Sequence, residues 1–139
     1  MSPAELSALA ARAYRHMQPW SEADFAATLD HPTALLTTVD GAFVLGRVIA
    51  DEAEILALAS DPDGQRQGRG RAALAAFEQD AIGRGAVSVF LEVAAENAPA
   101  RGLYVVCGYV ESGRRKGYYR RADGSRDDAL LMTKALTRG

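Results

Sequence analysis

With 139 residues, 48% of them hydrophobic and 24% charged, the chain has the size and make-up of one globular domain spanning residues 1–139. A formal net charge of −2 argues against a general nucleic-acid binder, and no apolar run approaches the roughly 20 residues needed to span a bilayer. One cysteine, Cys107, and two widely spaced histidines, His16 and His31, offer neither an internal disulfide nor a metal site; with no secretory pattern at the amino terminus, the expected compartment is the cytoplasm.

Ser2-Pro3-Ala4-Glu5 is a capping box with proline at the first helical position. Leu6, Leu9, Ala10, Ala13 and Met17 then recur at helical spacing, so a first helix is expected to about Met17, ended by Pro19. Ser21 to Asp24 offers a second cap, ahead of Phe25 and Leu29, with Trp20 and Phe25 placed to staple this short helix to the core. Leu35–Val39, the Asp40-Gly41 turn and Phe43–Ile49 read as a hairpin. Asp51-Glu52 turns the chain into a third strand, Ala53–Ala59, which completes an antiparallel meander.

That strand delivers a glycine-rich stretch, Ser60-Asp-Pro-Asp-Gly-Gln-Arg-Gln-Gly-Arg-Gly-Arg-Ala-Ala73, which opens into a helix from Ala72 to Ile82. Strand, glycine turn and helix start together suit an anion, because bare glycines let a ligand approach helix N–H groups that lack intrahelical partners. A P-loop requires Lys-Ser or Lys-Thr after its glycines, and Arg71-Ala72 supplies neither. The dinucleotide fingerprint is matched by Gly68-x-Gly70-x-x-Ala73, with Glu92 near the place of its ribose-binding acid. Its spacing is wrong, since residues 61–67 intervene between strand and first glycine, and the meander upstream also counts against a Rossmann fold.

Gly83-Arg84-Gly85 closes the helix, and Val87–Val93 is a strand of buried character expected to lie parallel to 53–59, since the connecting helix makes a right-handed crossover. Glu92 is its anomaly, a carboxylate between Leu91 and Val93. Asn97 caps a helix that carries Pro99 in its first turn and stops at Gly108, followed by a short strand at Tyr109-Val110-Glu111. Gly113 to Met132 reads as a basic hairpin turned at Asp123-Gly124.

Gln65-Arg66-Gln67-Gly68-Arg69-Gly70 resembles the acetyl-CoA pyrophosphate loop, Gln/Arg-x-x-Gly-x-Gly/Ala, of the GNAT superfamily of N-acetyltransferases. Glu92, Asn97, Leu103-Tyr104 and Gly108-Tyr109 resemble that superfamily's second signature in the same order. Pro19-Trp20-Ser21-Glu22, Tyr118-Tyr119 and Asp128-Ala129-Leu130-x-Met132 are similar to its ribosomal-protein-alanine N-acetyltransferase branch. The likeness covers Pro19 to Met132, departing at Gly102, Val105 and Gly117.

This resemblance implies an α/β fold with a mixed, mostly antiparallel sheet, a splayed parallel strand pair and helices on both faces. It implies acetyl transfer from acetyl-CoA, without a metal, to a protein amino-terminal α-amine, such as that of a ribosomal protein, and no membrane or direct nucleic-acid partner. Acyl transfer to an amine needs a base for the ammonium and an acid for the leaving thiolate, roles open to Glu92 and Tyr104. Backbone N–H groups around Leu58, Ala59 and Ser60 can serve the thioester and its pantetheine arm, Asn97 the cofactor's amide chain, and Arg66, Gln67, Gly68, Arg69, Gly70 and Arg71 its pyrophosphate. A small-molecule amine acetyltransferase and a non-catalytic acyl-CoA-binding module remain the alternatives.

Overall fold

The computed structural model of the protein describes residues 1–13, 20–61, 68–120 and 123–137. Its elements run α1 (Pro3–Ala13), α2 (Glu22–Leu29), β1 (Ala34–Val39), β2 (Ala42–Ile49), β3 (Glu52–Ser60), α3 (Arg69–Gly83), β4 (Ser88–Ala94), α4 (Ala98–Val106), β5 (Val110–Arg120) and β6 (Arg126–Ala135). The strands form one sheet in the order β1-β2-β3-β4-β6-β5. Every neighbouring pair is antiparallel except β3 with β4, the pair joined through α3.

Local signals account for most boundaries. At the start of α1, Glu5 N donates to Ser2 Oγ at 3.2 Å and Ser2 N returns a bond to Glu5 Oε1 at 3.1 Å. Ser21 and Asp24 repeat this reciprocal cap on α2, both bonds at 3.1 Å, and the Trp20 and Phe25 rings meet at 5.3 Å in the position of a hydrophobic staple. Ser21→Ala is therefore expected to lower stability by about 1 kcal/mol, read as an earlier midpoint in urea denaturation. The expected continuation of α1 through His16 to Met17, and its end at Pro19, lie outside the described residues.

Two glycines end helices in the same way. After α3, Gly85 at φ 95° lets its own N–H reach Ile82 O and that of Ala86 reach Ala81 O. After α4, Gly108 at φ 97° sets the N–H groups of Gly108 and Tyr109 on Val105 O and Tyr104 O. Both are Schellman caps, whose left-handed residue glycine adopts without a steric penalty.

Apolar side chains sort into one cluster on each face. On one, Leu74 and Phe77 of α3 and Tyr104 of α4 pack against Val44, Ile55, Leu91 and Val93. On the other, Leu6 and Leu9 of α1 and Phe25 of α2 cover Phe43, Leu45, Ala57 and Ala59.

One irregularity shapes the centre of the sheet. The β2–β3 register passes from Leu45 opposite Ala57 directly to Gly46 opposite Ile55, which leaves Leu56 as the extra residue of a bulge. A bulge reverses the alternation of side chains: Ala53 and Ile55 face the α3 and α4 side, whereas Ala57 and Ala59 face α1 and α2. Parallel pairing runs only from Glu52–Ser88 to Ile55–Leu91, so the strands part where the bulge begins. Opposite it, a side chain on Gly46 would run into the Glu54 carbonyl oxygen and the Phe77 ring.

Three readings of the sequence shift. The first strand residues come one position early in β1, β2 and β3 and one late in β4. Helix α3 starts at Arg69 rather than Ala72, because Gly68 at φ 72° serves as its N-cap. The short strand expected at Tyr109–Glu111 and the first arm of the following hairpin are one strand, β5. Turn-like residues inside it are absorbed as register shifts against β6, between Glu111 and Gly113 and between Arg115 and Tyr119. At the second shift Gly117, at φ 62°, is pinned by a bond from its N–H to Asp128 Oδ1 at 2.9 Å.

Candidate active site

A cleft of about 830 Å³ opens where β3 and β4 part. Its walls include Leu58, Ala59 and Ser60 of β3, Glu92 of β4, the start of α3 at Gly68, Gly70 and Arg71, and Asn97, Leu103 and Tyr104 around α4, with Trp20 and Tyr119 also lining it. Residues as distant in sequence as Trp20 and Tyr119 thus share one space. The volume lies within the range of small-ligand and cofactor sites, about 300–1,000 Å³.

The start of α3 has the features of an anion cradle. Gly68 caps it without a side-chain hydrogen bond, and no acidic residue stands in the first turn. N–H groups at a helix start have no intrahelical partners and suit an anionic ligand along the favourable end of the dipole. A side chain added at Gly70 would fill space toward Leu103 Cδ2 at 3.5 Å and Ser60 Oγ at 3.8 Å, inside the cleft. Arg71 contributes to the wall, but the Arg69 side chain lies over Gly41 at the β1–β2 turn. Arg66 and Gln67 lie outside the described residues.

The two carboxylate- and phenol-bearing candidates approach the cleft from opposite faces of the sheet. Leu91 and Val93 belong to the α3 and α4 cluster, so the alternation of β4 turns Glu92 to the face that carries α1 and α2. Its side chain is 22% exposed, and Arg115 Nε lies 3.3 Å from Oε1. Tyr104 belongs to the opposite cluster, 7% exposed, with its ring edge-on to Tyr109 at 5.6 Å. The parting of β3 from β4 puts both in the same cleft. Asn97 lines it too, while its Oδ1 accepts the Ala100 N–H at 3.3 Å and starts α4.

A buried polar contact supports the Tyr104 side. Tyr109 donates from its hydroxyl to Glu78 Oε2 at 3.0 Å, and Lys134 Nζ binds Glu78 Oε1 at 2.8 Å. This ties α3, the end of α4 and β6 together. Burial first, and the Glu78 charge second, raise the pKa of the Tyr109 phenol, which stays protonated. Cys107 packs against the same core, and burial raises its thiol pKa, so it is suited to packing rather than to nucleophilic chemistry.

Tyr119 joins the site although its sequence context marked it only as part of a resemblance. It stands opposite Asp127 in the β5–β6 ladder and lines the cleft. Burial, then the charge of Glu92, push its pKa up to about 12, so it too remains a neutral donor near pH 7. Leu56 is the other element that sequence reading missed; the isolated glycine at position 46, inside a strand pattern, was its available signal. His31 binds Thr33 Oγ1 at 2.8 Å in a surface turn. Among the described residues there is no group of three potential metal ligands, and no helix is long and apolar enough to cross a membrane.

Comparison with known proteins converges on one family. The Acetyltransferase (GNAT) family profile matches residues 5–109. The chain is 40% identical over 126 residues, 88% of its length and 84% of the relative's, to the [ribosomal protein bS18]-alanine N-acetyltransferase of Escherichia coli strain K12. The crystal structure of the ribosomal-protein-S18-alanine N-acetyltransferase from Escherichia coli superposes with a TM-score of 0.82 at 37% identity, covering 96% of this chain and 86% of that one. Arabidopsis thaliana NAA60, solved in complex with acetyl-CoA, shares the fold at a TM-score of 0.82 and 17% identity, over 97% and 93% of the two chains.

Proposed function

Because this chain belongs to the GNAT acetyltransferase family and is an acetyl-CoA-dependent N-acetyltransferase, we propose that its acceptor is the α-amine of a protein amino terminus, with a small first residue such as the alanine of a ribosomal protein. The 40% identity to an enzyme named for the alanine of ribosomal protein bS18 supports this choice, and a cytoplasmic location goes with it. The observation that carries the reading is the two-sided cleft: Glu92 opens toward the α1 and α2 face in a cleft that Trp20 and Tyr119 also line, while the α3 anion cradle and Tyr104 lie on the other side.

The residues divide the work accordingly. Gly68, Gly70 and Arg71 hold the cofactor's pyrophosphate at the start of α3, with Arg66 and Gln67 of the same loop, whereas the Arg69 side chain, turned toward Gly41, is not assigned to it. Leu58, Ala59 and Ser60 lie on the β3 segment beyond its pairing with β4, where backbone N–H groups can bind the pantetheine arm and polarise the carbonyl. Asn97 keeps its amide nitrogen for the same arm, since its oxygen holds α4. Bound acetyl-CoA supplies the acetyl group as a thioester.

Glu92 takes a proton from the acceptor's ammonium, directly or through a water, and leaves a nucleophilic amine. Tyr104 holds the proton that the departing sulfur requires, and its burial keeps it fixed within the cleft. An α-amino group has a pKa about 8, against about 10.4 for lysine, so a single carboxylate suffices to present it neutral near pH 7.

A peptide beginning Ala-Arg, compared with the same peptide carrying a blocked amino terminus and an internal lysine, tests the assignment. Thiol release and a mass increase on the free-amino-terminus peptide alone are expected. Transfer only to the lysine peptide, or only to small amines, would overturn the acceptor while leaving acetyl transfer in place.

A further inference from the structure

Glu92 already carries a cation. Arg115 Nε approaches its Oε1 to 3.3 Å, and the Arg115 guanidinium carbon is 5.3 Å from the centre of the Tyr118 ring. Arg115 belongs to β5, two strands from β4, and it reaches Glu92 over β6. The ladder explains how: Arg115 stands opposite Ala129, and Ala129 stands opposite Ala94. Glu92 itself stands opposite Leu131, so the arginine side chain crosses β6 diagonally, passing beside the small Ala129.

The register shift between Arg115 and Tyr119, where Asp128 holds both the Gly117 N–H and, at 3.3 Å, Arg114, brings Tyr119 into the cleft wall, while Arg115 beside it reaches Glu92. The two partners differ in freedom. Arg115 is 55% exposed at its side chain and Glu92 only 22%, so the arginine is the one that can leave.

We propose that Arg115 is a stand-in for the acceptor's ammonium, holding Glu92 in the unliganded enzyme and yielding its place when the amino terminus binds. The inference rests on the acceptor-side role given to Glu92 above. A guanidinium and an ammonium cannot share one carboxylate oxygen closely without like-charge repulsion. Their exchange keeps the local charge constant, and the Tyr118 face, which the guanidinium already contacts, can retain it when the Glu92 contact breaks. Arg115 is accordingly a positioning residue that sets the acceptor's apparent affinity, and it takes no part in the proton transfer.

A cycle of variants decides this. Peptide affinity for the CoA-saturated protein is measured by calorimetry, with the Ala-Arg peptide, for wild type, Arg115→Ala, Arg115→Lys, Glu92→Gln and the Arg115→Ala/Glu92→Gln double variant. Removing an exposed competitor should tighten peptide binding by roughly 2- to 5-fold, with the peptide KM falling in step and kcat moving less. Lysine should restore much of the wild-type affinity, and the effect of Arg115→Ala should vanish in the Glu92→Gln background. Unchanged or weaker binding in Arg115→Ala, or a gain that persists once Glu92→Gln has made that side chain a neutral amide, would overturn the proposal. Failure of the wild type to acetylate any amino-terminal peptide would instead sink the acceptor assignment, and the same cycle with the acceptor actually used then decides the role of Arg115.

Discussion

Tyr104→Phe is expected to lower kcat about 10²-fold while leaving the affinity for acetyl-CoA close to wild type. The substitution removes one oxygen and keeps the ring, so the edge-on contact with Tyr109 and the packing in the α3 and α4 cluster survive. Whatever falls is then attributable to the hydroxyl. Sulfur that departs unprotonated, as a thiolate, is a poorer leaving group than the thiol, and a positioned acid is worth about 10²–10⁴-fold. Thiol release under saturating substrates gives kcat, calorimetry gives the cofactor Kd, and a thermal melt checks the fold. A variant with full kcat would mean that the sulfur is protonated from elsewhere.

Gly70→Glu should abolish measurable activity through the cofactor rather than through the fold. The new side chain would point into the space bounded by Leu103 and Ser60, at the start of α3, whose Gly68 N-cap has no side chain to offer. Its carboxylate would compete for the same N–H groups and oppose the phosphates by like charge. A loss of about 10²-fold in acetyl-CoA affinity corresponds to about 2.7 kcal/mol, comparable with charge-assisted hydrogen bonds of about 1.5–3 kcal/mol each. Position 70 has φ outside the left-handed region, so the backbone itself tolerates a side chain. Gly68, at φ 72°, does not share that tolerance and would confuse the test. Unchanged affinity by calorimetry would remove the 65–70 loop from the cofactor site.

The two tests bear on different halves of the cleft. Tyr104 and Gly70 lie on the side of α3 and α4, whereas the peptide comparison and the Arg115 cycle probe the side of α1, α2 and β5. Loss in the first pair with normal peptide binding would locate the defect in the cofactor half. The converse would locate it in the acceptor half.

Much of the fold was legible because the signals that specify it act over a few residues. Ser21 and Asp24 exchange bonds across one helical turn. Gly85 and Gly108 end their helices by a local left-handed step, and Asp40-Gly41 turns the expected hairpin, which pairs from Ala34 opposite Arg47 to Val39 opposite Ala42. The motif residues Gly68, Gly70, Glu92, Asn97 and Tyr104 all line one cleft, and their order along the chain pointed to the family before any contact was known. By itself the sequence therefore determined most of the elements, the crossover that makes β3 and β4 parallel, and the family chemistry.

What tertiary structure alone decided is where the faces lie. A one-residue change in register moves every later side chain to the other side of a sheet, and Leu56 makes that change without an obvious mark of its own. It separates β3 from β4 and so opens the cleft between the Glu92 face and the Tyr104 face. The meeting of Arg115 with Glu92 depends likewise on two ladders, which set Arg115 opposite Ala129 and Glu92 opposite Leu131, one pair apart on the same face. Tyr119 comes to the cleft by a shift in β5 that absorbs residues otherwise suited to a turn. Such placements arise from pairings between strands far apart in the chain, where no local pattern records which residue will stand opposite which.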